Sequence, residues 1–127
     1  MVTKILNIMK LSNKNLLILF IFFKNNNIIC TLTNVKGNPL NWATVGTKKM
    51  RGTKKITTSS ITNTTKLLYN YSTKINSTNI YLKIKGTNKS KLFFIKSLKT
   101  IGFTILSIQE NLIIPHNGCK KLRTRRI

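Results

Sequence analysis

Residues 16–34 read LLILFIFFKNNNIICTLTN, and how this stretch divides decides the fold. The apolar run Leu16 to Phe23 is too short to span a bilayer, which takes about 20 helical residues. Lys4, Lys10 and Lys14 ahead of it imitate a signal peptide, but the run is followed by Lys-Asn-Asn-Asn and not by a small-residue cleavage site. A short apolar run bounded by a turn reads as a buried strand. Beyond the turn 24–27, Ile28, Cys30 and Leu32 alternate with Ile29, Thr31 and Thr33, the period-two signature of a second strand. The stretch therefore predicts an antiparallel hairpin. Cys30 is expected in it as a small buried apolar residue.

Working outward, VKGNP (35–39) is a second turn, with Gly37 or Asn38 able to take positive φ and Pro39 opening the next strand. LNWATVG (40–46) completes a three-strand antiparallel meander. After the basic loop TKKMRGTKK (47–55), the segment ITTSSITNTTKLLYNYS (56–72) is poor in helix formers. Ile61, Thr65 and Leu68 nevertheless recur at helical spacing, so a helix is expected there. NIYLKIK (79–85) is a strand with Ile80, Leu82 and Ile84 on one face and Tyr81, Lys83 and Lys85 on the other. Ser90 is the expected N-cap of a helix over 91–101, with Phe94, Leu98 and Ile101 as its apolar stripe and Gly102 as its stop. FTILSIQ (103–109) is the last strand.

The order βββαβαβ implies an α/β fold: a mixed sheet in which helical crossovers let the later strands run parallel to the first. Three regions follow: a basic N-terminal arm (1–15), the α/β domain (16–112) and a basic C-terminal tail (113–127).

Charge narrows the function. Lys and Arg number 23 against one acid, Glu110, giving a formal charge of +22 on 127 residues. Self-repulsion on that scale opposes a compact state unless a polyanion offsets it. With 41% hydrophobic residues and scattered cations, the chain suits a folded nucleic-acid binder better than a membrane-active helix, and no membrane partner is expected. The basic loop, with Lys48, Lys49, Arg51, Lys54 and Lys55, has no acids near it and is read as a phosphate contact.

The lone carboxylate removes whole classes of chemistry. Carboxylate pairs and two-metal nuclease sites need at least two acids. A structural zinc site wants four ligands, and Cys30, His116 and Cys119 offer three. His116 and Cys119 form a formal nucleophilic pair, but beside a basic tail they read as structural or RNA-contacting. The chain is therefore expected to be no enzyme, with no cofactor and no metal. A nuclease is disfavoured by the missing carboxylates, and a sequence-tolerant basic nucleic-acid-binding protein is the reading left open. The wealth of Lys, Asn and Ile matches the residues specified by AT-rich codons, which suggests an organellar gene or an AT-rich nucleus.

GNPLNWATVG (37–46), RGTKK (51–55), IKG (84–86) and IPHNGC (114–119) before a basic tail, in this order, resemble the universal small-subunit ribosomal protein S-eleven family. The resemblance runs from about residue 20 to residue 127, and PHNGC with its basic end is its most specific part. It implies a ribonuclease H-like mixed sheet without nuclease activity. It also implies small-subunit ribosomal RNA as partner at the platform, neighbouring platform proteins, and messenger RNA near the exit site as a further contact. On this sequence it carries RNA binding to Asn25, Asn26, Asn38, Arg51, Lys54, Lys55, Lys85, Gly86, Lys91 and Lys96. The same role falls to His116, Asn117 and Gly118, and to the paired Arg125 and Arg126. The family's later turn glycines are replaced in GTNKSK (86–91), which shifts the expected contact to Lys89 and Lys91. Lys120, Lys121 and Arg123 complete the tail as an RNA clamp, and Asn117-Gly118 has the sequence of an isoaspartate-forming pair. A mitochondrial version fits the drift towards lysine best, with another AT-rich organelle as the alternative.

Overall fold

A computed structural model describes residues 16–47, 55–111 and 114–126, so the arm 1–15 and residues 48–54 of the basic loop lie outside the described residues. The elements are β1 (Leu16–Phe23), β2 (Ile28–Asn34), β3 (Pro39–Thr44), α1 (Thr58–Lys74), β4 (Asn79–Lys85), α2 (Lys91–Ile101) and β5 (Thr104–Asn111). The strands form one sheet in the order β3-β2-β1-β4-β5. The meander is antiparallel, while β4 runs parallel to β1 and β5 parallel to β4. The mixed α/β architecture and strand directions are those the sequence predicts.

Alternation along each strand builds the core. Leu17, Leu19, Ile21 and Phe23 of β1 share a face with Ile28, Cys30 and Leu32 of β2 and with Ile80, Leu82 and Ile84 of β4. Ile61 and Leu68 of α1 and Phe94 and Leu98 of α2 close over that face, with Phe23 and Phe94 edge to face at 5.9 Å. The opposite sheet face has no such cover among the described residues. Phe20 and Trp42 lie on it, 40% and 66% exposed. This corrects the expectation that LLILFIFF is simply a buried strand. Both crossovers place their helices on one side, so from Ile18 onward the β1 residues facing away from them, Ile18, Phe20 and Phe22, are left at least partly open.

Helix α1 has poor propensity, and its buried hydroxyls are satisfied within the helix and across to α2. Thr57 and Ser60 form a reciprocal cap, the Ser60 amide donating to Thr57 Oγ1 and the Thr57 amide to Ser60 Oγ. Buried Thr64 and Thr65 return their protons to the carbonyls of Ser60 and Ile61, one turn back. Thr65 Oγ1 also meets Ser97 Oγ of α2 at 3.0 Å. The helix starts at Thr58 rather than 56 because Thr57 takes the cap.

Ser90 occupies the cap position of α2 but makes no side-chain cap bond. Asn88 does that work, its Oδ1 accepting from the Ser90 amide and its carbonyl from the Lys91 amide. Gly102 stops the helix in the left-handed region (φ 120°), with the Phe103 amide reaching back to the Leu98 carbonyl. The third strand is shorter than expected, since Val45 and Gly46 already belong to a turn. The last strand runs on to Asn111, carrying Glu110 with it.

Candidate nucleic-acid interface

Because β1, β4 and β5 are parallel, their C-terminal ends emerge along one edge of the fold. The segments richest in Lys and Asn are attached there. Asn25 and Asn26 lie exposed in the turn after β1, closed by the Lys24 amide donating to the Asn27 carbonyl at 2.9 Å. The turn after β4 is tied to it: Asn88 Nδ2 donates to the Lys24 carbonyl at 3.1 Å. Lys55, entering α1, completes an open concavity of about 550 Å³ with Phe22, Phe23 and the turn residues 24–27. Lys85 and Lys89 are exposed on the same side. β5 delivers the tail to this end, and from Ile114 to Arg126 every residue is exposed.

Electrostatically the end has almost nothing of its own to bind. The only acidic side chain of the chain, Glu110, is paired with Lys91 Nζ. Among the described residues, Lys91 is thereby the one site lysine engaged by a carboxylate. The remaining cations have no acidic side chain to meet, and such an unneutralised edge attracts polyanions. Gly86 is buried with φ 95°, and a Cβ there would collide with the Phe23 carbonyl oxygen. Its glycine is thus explained by the crossing of two chain segments.

Not all expected residues converge. Asn38 is exposed in the turn between β2 and β3, at the opposite end of the sheet from Asn25. Lys96 is exposed in the middle of α2, where it lines a groove between the helices with Lys66, Thr62 and Phe93. Lys48, Lys49, Arg51 and Lys54 lie outside the described residues, between Thr47 and Lys55. His116, Asn117, Gly118, Lys120, Lys121, Arg123, Arg125 and Arg126 all lie along the exposed tail, with Asn117 in the left-handed region at φ 56°.

Three residues escape a reading of the sequence. Lys24 and Asn88 join the basic end only through the parallel register of β1 and β4. Lys83 stands on the open sheet face, its ammonium 5.4 Å from the centre of the Phe20 ring. The alternation of NIYLKIK sets its face but not its neighbour. Trp42 shares that face and is no core residue. Cys30 is fully buried, and burial pushes its thiol pKa up, whereas Cys119 is exposed in the tail.

The family described as Ribosomal protein S11 matches residues 18–126. The small ribosomal subunit protein uS11m of Chondrus crispus is 41% identical over 118 residues, 92% of this chain and 100% of that protein. The uS11 of Thiobacillus denitrificans is 35% identical, covering 80% of this chain and 78% of its own. That of Buchnera aphidicola is 32% identical over the whole of both chains.

Proposed function

The chain belongs to the ribosomal protein S11 family, and from that membership we propose that it binds small-subunit ribosomal RNA at the platform through the basic end and tail described above. Its role is that of a structural, non-enzymatic constituent of the small ribosomal subunit, in a setting of ribosomal RNA and other ribosomal proteins. The observation that carries the RNA reading is the convergence of Lys24, Lys55, Lys85, Lys89 and the tail at one end of the sheet in a chain of net charge +22.

The mechanism is positioning. Lysines and arginines neutralise phosphates and release counterions, and the fit of a folded RNA to the concave end selects the site. Asn25, Asn26, Lys91, His116, Asn117 and Gly118 belong to this surface, and buried Gly86 lets the two turns beneath it cross. Lys48, Lys49, Arg51 and Lys54, outside the described residues, are further RNA contacts in this reading. Asn38 and Lys96, placed elsewhere, touch separate RNA segments. Messenger RNA near the exit side and neighbouring platform proteins are further partners in this reading. The mitochondrial ribosome is the proposed location, supported by the likeness to uS11m and by the wealth of Lys, Asn and Ile.

The test is sedimentation of tagged full-length protein from the source organelle. Co-migration with small subunits, with ultraviolet cross-links from residues 24–27, 85–91 and 114–126 to small-subunit RNA, is expected. Migration free of subunits would refute the assignment.

A further inference from the structure

We propose that the outer edge of β5 accepts an extended segment of another polypeptide, which joins the sheet as an added strand. β5 ends the strand order, so its outward N–H and C=O groups have no strand partner among the described residues. Nearly its whole length is exposed, and pairing with β4 skips Leu106, leaving that residue 51% exposed; Ile108 is 49% exposed. Unpaired backbone beside half-exposed aliphatic side chains is the surface used in strand addition.

Charge identifies the kind of occupant. From Thr100 to Cys119 the sequence has no lysine or arginine, although the chain as a whole carries 23. The one acid within that stretch, Glu110, is held by Lys91. A strand built this way offers RNA no cationic side chain of its own. Natural sheets guard free edges with lysine, proline or bulges. The opposite edge follows that rule, since β3 opens with Pro39 and its pairing with β2 is irregular at Leu32/Thr33. No lysine or proline guards β5, and its one irregularity, at Leu106, turns an aliphatic side chain to the open edge rather than a charge. A second copy of this chain is a poor occupant, because bringing together two bodies of net charge +22 is opposed by repulsion. The segment that fits is therefore from a different protein, extended, and alternating apolar with uncharged polar side chains.

The proposal rests on the ribosomal reading only for where that partner is met. The full chain, with the photoreactive p-benzoylphenylalanine at Leu106 or, in a second variant, at Gln109, is expressed in the source organelle, and small subunits are isolated and irradiated. The expected result is a cross-link from either position to one other protein, mapped by mass spectrometry to one contiguous segment. Amides of 104–111 should also exchange at least about tenfold more slowly in subunits than in the isolated protein. Cross-links only to ribosomal RNA, to a second copy, or to nothing would each overturn the added strand, as would unchanged exchange. Exclusion of the chain from subunits would instead overturn the functional reading, and this proposal with it.

Discussion

The backbone carbonyl oxygen of Phe23 occupies the space that any side chain on Gly86 would need. Two chain segments that leave the sheet at its basic end thus cross in direct contact, and Gly86 holds a left-handed φ of 95° to allow it. The Gly86→Ala protein should be less stable by about 2 kcal/mol or more, since unfavourable φ adds to a clash with unyielding backbone. Urea unfolding of the isolated protein measures this. Stability within about 0.5 kcal/mol of wild type would show that the crossing can relax.

The two cysteines should differ sharply in reactivity. Cys119 is exposed and Cys30 fully buried, so a thiol reagent at neutral pH should titrate one group in the native protein and two after denaturation. Burial raises the Cys30 pKa above its ordinary 9.0, and the folded state therefore keeps a proton that the unfolded state releases. Stability from this group is intact below pH 9 and falls above it, by about 1.4 kcal/mol per pH unit. Cys30→Ala should flatten the alkaline part of the stability profile. An identical alkaline slope in the variant would rule this linkage out.

Removing residues 120–127 deletes Lys120, Lys121, Arg123, Arg125 and Arg126 from a fully exposed tail. Binding to a platform ribosomal RNA fragment should weaken, and the slope of log K against log salt should shrink by up to about 0.7–0.9 for each phosphate that the tail no longer neutralises. Filter binding across a salt series reads the slope. If the truncated and full chains share one slope, the tail is no clamp.

Asn117 already has φ 56° with Gly118 next to it, in an exposed bend. Glycine leaves the following nitrogen unhindered for attack on the Asn117 side-chain carbonyl, which expels ammonia and forms a succinimide. Hydrolysis then gives aspartate or isoaspartate. Peptide mapping of aged subunits with isoaspartyl methyltransferase labelling should find modification at Asn117. An intact asparagine in such particles would leave the residue as a turn former only.

Much of this fold was legible because period two and period 3.6 are written into the residues that form the core. Ile28, Cys30 and Leu32, or Ile80, Leu82 and Ile84, declare their face without help from tertiary structure. The openness of the opposite face was not legible. Phe20 and Phe22 look as apolar as Leu19 and Ile21, and only the placement of both helices on one side separates them. The capping by Asn88 escaped for a similar reason, since Ser90 has the right residue type at the right position and the bond depends on backbone angles. The tail and the turn 24–27 were readable as cationic or Asn-rich sequence. Their union with Lys55 and Asn88 at one end needed the parallel register of β1 and β4.

The self-bonded hydroxyls of α1 have a consequence for the order in which the chain folds. A helix whose threonines and serines spend their hydrogen bonds on its own carbonyls gains little from propensity and must draw its stability from the sheet beneath it. A peptide of residues 57–75 should accordingly show little helical circular dichroism in water, however long it is incubated. Substantial helix in that peptide would contradict the dependence. The meander of β1 to β3 is local in sequence and pairs by short turns, whereas β4 reaches β1 only after α1 has been traversed. The hairpin strands are thus expected to form the template, with α1 acquiring its shape as it bridges to β4.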